Sequence, residues 1–347
     1  MNGRRDLMLN SLLSGCLLCL MVLSLTIGPL SLSVKDVISA LFLEGSLSEL
    51  PGSLDNADRL ARLHLIVTEI RLPRVLLAII VGSSLGMSGA ALQGLLRNPL
   101  AEPGLLGVSA SASLGAVLCL YFGLAGVSIW LLPVSAMLCA AVSTLLLALF
   151  ARRSASNLTL ILAGIGLSSL TAALISLAIN LAPTPTDVQD IVLWLLGSIA
   201  DRSFDDIRLC LPFVLAGLAL LLSCGRGLDA LTLGDEEAAS LGINLERLRL
   251  KVIIGTALCV GASVAVAGAI GFIGLVVPHM LRRATGFHPS RLLFASALGG
   301  ALLLLAADIV LRLLSGDFEL MLGVVTSLIG APFFLLLVMR SQAGELR

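Results

Sequence analysis

The sequence predicts an all-α polytopic membrane protein with ten transmembrane helices and an inverted internal repeat, helices 2–5 against helices 7–10. Three observations carry that prediction. Mean hydropathy is +1.06, and only 13% of the 347 residues are charged, about half the share of an ordinary soluble domain. Apolar runs of roughly 20 residues, the length that crosses a bilayer, recur along the whole chain. Two glycine- and proline-interrupted apolar stretches, 179 residues apart, share a pattern: Val81, Gly82, Ser84, Gly89, Ala90, Pro99 and Gly107 fall on Val260, Gly261, Ser263, Gly268, Ala269, Pro278 and Gly286. Paired broken helices of this kind are a common transporter build.

The elements follow in order. Arg4 and Arg5 precede an apolar run over residues 7–30; its length, and the lack of a small-x-small cleavage site after it, read as an uncleaved first helix. A polar segment over 31–69 lies outside. Residues 71–109 organise the chain. They open on two arginines, Arg71 and Arg74, and continue as an apolar helix loaded with small residues (Gly82, Ser83, Ser84, Gly86, Ser88, Gly89) that carries one amide, Gln93. The helix breaks at Asn98-Pro99 and again at Pro103-Gly104, then resumes. Each glycine costs a soluble helix about 1 kcal/mol against alanine, whereas in a membrane small residues let backbones approach closely. The stretch therefore reads as helices two and three around a polar interruption.

Helix four covers about 127–150 and ends at Arg152-Arg153; helix five covers 158–181. Pro183-Thr184-Pro185 opens a semi-polar surface helix over 188–199, and helix six spans 207–223. A charged segment, 226–251, leads into helix seven, which meets helix eight around 268–278; helices nine and ten cover 291–313 and 320–339. The whole, 1–347, reads as one membrane domain with a cytoplasmic segment at 224–250. With both termini inside, fourteen of the 22 Lys and Arg lie inside and eight outside, in the sense of the positive-inside rule.

Several function classes are disfavoured. The histidines (64, 279, 288) are scattered, no metal-ligand spacing or paired nucleophile and base is present, and no phosphate-binding G-x-x-x-x-G-K occurs. No catalytic residue and no cofactor is assigned. Cys16 and Cys19 sit in an apolar run without a polar neighbour to stabilise a thiolate. Net charge is zero and aromatics are 4%, which gives nothing for nucleic acid to bind. Asp308 reads as an i,i+4 partner of Arg312 near the outer end of helix nine rather than as a proton relay. A proton- or sodium-coupled transporter would share the inverted repeat but needs a midplane carboxylate. The most informative polar segment is inside. Asp235, Glu236 and Glu237 open a short helix, where acidic side chains suit the N-terminus; Ala238, Ala239 and Leu241 give it a small apolar face, and Gly242 ends it. It reads equally as a solvated loop helix or as an element that docks in a groove of a soluble partner.

The segments GAALQGLLRNPLAEPGLLGVSAS, LTLGDEEAASLGIN, AGAIGFIGLVVPHMLRR, LLLAADIVLR and ELMLGVVTSLIGAPFFLLLV, in this order over residues 65–340, resemble the iron-chelate/cobalamin permease family of ABC importers. The resemblance implies ten helices per subunit, a second copy of the chain, two cytoplasmic ATPase subunits that hydrolyse ATP, a periplasmic or lipid-anchored substrate-binding protein, and a bacterial inner-membrane location. It implies that Leu233, Gly234, Asp235, Glu236, Glu237, Ala238, Leu241 and Gly242 form the coupling helix that fits the ATPase. It implies that Arg71, Arg74 and Arg312 receive glutamates of the binding protein. Gly89, Gln93, Asn98, Pro99, Gly268 and Pro278 would shape the broken helices along the pathway. Ser156, Asn157 and Leu158 match the inner-gate region, where relatives often place small hydroxyl residues. The expected cargo is an iron complex, a ferric siderophore or haem, with cobalamin as the alternative.

Overall fold

A computed structural model describes residues 2–28, 30, 32–42, 61–128, 130–153, 157–314 and 320–345. Among these the regular structure is helical: α1 (Asn2–Thr26), α2 (Val34–Phe42), α3 (Leu72–Leu96), α4 (Val108–Tyr121), α5 (Leu131–Arg153), α6 (Asn157–Asn180), α7 (Pro185–Leu195), α8 (Phe204–Ser223), α9 (Gly225–Leu231), α10 (Asp235–Ser240), α11 (Leu245–Ala267), α12 (Ile273–Leu281), α13 (Pro289–Leu314) and α14 (Leu322–Glu345). Seven helices among the described residues are long and apolar enough to cross a membrane; α4 and the apolar part of α14 are shorter.

Polar residues start several helices where the sequence supplies caps. Thr184 and Asp187 form a reciprocal capping box at α7, Ser203 and Asp206 another at α8, each satisfying N–H groups left open by a helix start. Asn244 Oδ1 accepts from Arg247 N at 2.9 Å and opens α11.

α3 is the centre. It is buried along most of its length, packed by α13, α11, α12 and α8. Its small residues explain why: a Cβ on Gly82 or Gly86 would run into the backbone of Gly300 or Ser296 on α13, and a Cβ on Gly300 into Gly82. Lipid tails are as apolar as leucine, so close backbone packing is what holds such helices together. α1 differs in burying little of its span. It is fastened at its ends, by Asp6–Arg291 (3.2 Å) at one and by arginines of α13 and the turn before α3 at the other.

The two halves of the chain pack alike. α3 lies on α13 as α11 lies on α5; α3 on α12 as α11 on α4; α4 on α5 and α6 as α12 on α13 and α14. The 179-residue register holds at the start of this correspondence. Ser84 donates to Ile80 O at 2.8 Å and Ser263 to Cys259 O at 2.7 Å.

The structure has the break expected between helices two and three and narrows the one between helices seven and eight. α3 runs unbroken through Gly89, whose partner Gly268 instead ends α11 at φ +68°. A Cβ on Gly89 would strike the backbone of Gly274, so this glycine serves a helix crossing, not a break. Pro278 likewise lies buried inside α12; the breaks are at residues 97–107 and 268–272. Helix two also begins earlier than expected. Helix covers 61–65 and passes through a π-helical turn, Ile66–Arg71, before α3, in a region read from sequence as polar and external.

Candidate functional site

Two polar clusters sit at opposite ends of α3, about 35 Å apart at 1.5 Å rise per residue. The first surrounds its C-terminal end. Arg97, at φ +50°, turns the chain out of the helix, and its N–H and that of Asn98 both return to Gln93 O. Asn98 Oδ1 accepts from Leu100 N at 2.9 Å, so the segment through Pro99 is a tight, self-bonded turn.

Gln93 is buried to 1% exposure. Its Oε1 accepts from Arg282 Nη2 at 2.5 Å, and its Nε2 lies 3.3–3.4 Å from the carbonyl oxygens of Ala101, Gly274 and Leu275. One amide thus joins α3, the turn after it, and both ends of α12. Glu102 adds a second tie: its Oε1 accepts from Phe272 N at 2.8 Å. Burial pushes the Glu102 carboxyl above the usual carboxylate range, and the Phe272 amide partly opposes this. Phe272 itself stands at φ +68°, a conformation that costs a bulky residue on the order of 1–3 kcal/mol and tends to mark functional segments.

The same end carries α10. Gly234 (φ +129°) and Gly242 (φ +84°) bracket it, backbone turns that other residues adopt only under strain. Ala238 is fully buried and seats the helix. Asp235 pairs with Arg97 (2.8 Å) and Arg249 (3.4 Å), so it anchors α10 inward. The other acids, Glu236 and Glu237, are exposed. Leu233 and Leu241 flank them at 64% and 63% exposure, two leucines facing water on either side of an acidic turn.

The second cluster lies at the other end of α3. Arg74 pairs with Asp308 Oδ1 at 2.8 Å, and Arg312 with Asp308 Oδ2 at 3.0 Å. The expected i,i+4 pair is present, but Asp308 is fully buried and shared with α3. Arg71 donates to Leu25 O (2.7 Å), Thr26 O (3.0 Å) and Leu30 O. Arg312 donates to Ser24 O and Ile27 O, both at 2.9 Å, and to Ser24 Oγ. Arg71 is 5% exposed and the Arg312 side chain 8%. Both are committed to the C-terminal carbonyls of α1, which a helix end leaves unpaired. Of the three arginines expected to meet a partner, Arg74, at 20% side-chain exposure, is the most accessible.

Of the expected inner-gate residues, Ser156 lies outside the described residues; Asn157 opens α6, and Leu158 is 63% exposed. The sequence reading missed Arg97, Glu102, Arg249, Phe272 and Arg282. Arg97 carried a local signal, a lone cation between Gln93 and Asn98-Pro99. The others contact their partners across 14 to 189 residues of chain, and nothing local marks them.

The chain is 43% identical to the vitamin B12 import system permease protein BtuC of Vibrio cholerae over 278 residues, 80% of this chain and 83% of that one. It is 40% identical to the hemin transport system permease protein HmuU of Yersinia pestis over 286 residues, 79% and 83% of the two chains. Its fold superposes with a TM-score of 0.82, at 34% identity, on a metal-chelate type ABC transporter in an inward-facing conformation, covering 95% of this chain and 98% of the other. The FecCD transport family model matches residues 16–340, nearly the whole sequence, and the chain belongs to that family.

Proposed function

We propose that this chain is the permease subunit of an ABC importer that carries iron complexes, ferric siderophore or haem, across the inner membrane. Two copies form the pathway, separate cytoplasmic ATPase subunits supply the energy, and a periplasmic or lipid-anchored binding protein delivers the cargo. The observation that carries the reading is α10. In a FecCD family member, a short helix with exposed Leu233, Glu236, Glu237 and Leu241, anchored from behind by Asp235 and Ala238, has the form of a plug for a soluble partner's groove. The end bearing α10 is then cytoplasmic, together with the chain termini.

The packing correspondence between α3–α6 and α11–α14 supports an inverted repeat. α3 runs from the arginine cluster towards α10, and α11 starts beside α10 and runs away from it. The proposal takes α4, α12 and α14 as further crossings beside the seven longer helices, which makes ten among the described residues. At the outer end, Arg74 and Arg312 share one carboxylate and Arg71 bonds only backbone carbonyls, which leaves an excess of positive charge. It attracts acidic residues of a binding protein, with Arg74 in contact and Arg71 and Arg312 contributing field. Such complementarity governs association rate and register more than affinity.

The similarity to a vitamin B12 permease favours cobalamin as the second reading. Uptake of labelled ferric siderophore, haem and cobalamin by cells lacking this chain tests both. Loss of iron-complex uptake alone supports the first reading. Loss of cobalamin uptake alone replaces it with the second, and unchanged uptake of all three in the absence of a redundant system removes the cargo assignment.

A further inference from the structure

We propose that Arg97 and Gln93 form one mechanical connection between α10 and the break before α12. Arg97 and Gln93 are positioning residues in it. The proposal rests on the reading of α10 as the ATPase-facing helix. Asp235, the first residue of α10, holds Arg97 at 2.8 Å. Arg97 is the left-handed residue that ends α3, and its own N–H is bonded to Gln93 O. The Gln93 side chain holds Arg282 just past the end of α12 and the Gly274 and Leu275 carbonyls at its start. The break itself carries Phe272 at φ +68°, held by Glu102 from the turn that follows Arg97.

Each link is polar and directional, and each joins a different element. A shift of α10 therefore pulls on Arg97 and, through the turn at 97–102, acts on α12 at both ends. A second polar route from α10, through Arg249, leads into the first two turns of α11 and not to the break; α10 also packs on α9, which rests on α13 and α3. Gly330 on α14 leaves no room for a Cβ beside the Phe272 side chain, so movement at the break reaches α14 as well. The buried amide is required for this: an apolar residue at 93 would fill the space but release Arg282 and α12.

The test uses the full complex with its ATPase subunits in lipid nanodiscs. Hydrogen exchange is followed by mass spectrometry over 97–107 and 268–275, with and without vanadate-trapped nucleotide. Wild type is expected to change exchange in both segments on trapping. Arg97→Ala, at a residue whose side chain is 46% exposed, is expected to keep the ATPase bound and lose at least threefold of the change at 268–275. Gln93→Leu is expected to do the same, and Gln93→Glu, which keeps the acceptor for Arg282 but loses the donor to the Gly274 and Leu275 carbonyls, to recover part of the loss. Arg208→Ala, on an exposed arginine of α8 paired with Asp205, serves as the control and is expected to match wild type. Wild-type responses in both Arg97→Ala and Gln93→Leu would overturn the connection, as would equal loss in Gln93→Glu and Gln93→Leu. Failure of the wild-type chain to hold the ATPase would overturn the reading of α10, and the connection with it.

Discussion

The two ends of α3 handle charge in opposite ways. Around Asp308, the Arg71 and Arg312 side chains are buried against backbone carbonyls, and Arg74, partly exposed, pairs with a fully buried carboxylate. Around Asp235, the carboxylate is 37% exposed and its partner Arg97 46%, while the other acids of α10 face water. One end is an internal fastening and the other a surface. A buried charge depends on its partner, because removing one side leaves the other desolvated and unpaired. An exposed pair is screened by solvent and contributes little to folding.

The largest expected effect sharpens that contrast. Asp308→Ala should destabilise the folded protein by about 3–5 kcal/mol, read as a large fall in the unfolding temperature in detergent. Asp235→Ala should cost about 0–1 kcal/mol. Similar losses in the two variants would erase the distinction between the ends. Next, replacing Leu233 and Leu241 together by serine should weaken ATPase binding by about 1.5–3 kcal/mol per leucine buried in the complex, with thermal stability unchanged. Undiminished co-purification of the ATPase at low concentration would remove the docking face. A smaller effect belongs to the outer end: Arg74→Ala should slow association with the binding protein several-fold at low salt, and the difference should shrink as ionic strength rises. A salt-independent rate difference would mean that Arg74 acts through packing. Smallest of all, Arg208→Ala, at an exposed i,i+3 pair, should change stability by less than about 0.5 kcal/mol, and a clear loss would show that exposure is a poor guide at this surface.

The contrast also explains what the sequence revealed. α10 was legible because every feature of it is local: three acids in the first turn, a small apolar face and a glycine at each end. The long spans were legible because length and hydropathy define them. The arginines at 71, 74 and 312 could be singled out, but not their burial, which depends on where the end of α1 lies. Residues 24–30 carry no mark of that contact beyond being an apolar helix end. Gln93 stood out as the amide in an apolar helix, while Arg282, its partner, is 189 positions away. Glycines misled in the other direction. Gly89 and Gly268 share a repeat position, yet one permits a helix crossing and the other ends a helix, since the same missing side chain serves both needs.

The π-helical turn at Ile66–Arg71 has a consequence for how this chain can tolerate changes in length. A π turn holds one more residue than an α turn, and one residue corresponds to about 100° of rotation around the axis. Deleting a single residue there would let the helix close into regular α geometry. In a regular α-helix such a loss would swing everything before it by that angle; here the closing of the wide turn takes it up, and buried Leu63, ahead of the turn, keeps the face it now occupies. α3 itself, with its glycine contacts and Gln93, would keep its phase. The turn therefore acts as a splice, where an indel in the connecting segment is absorbed before it can reach the core.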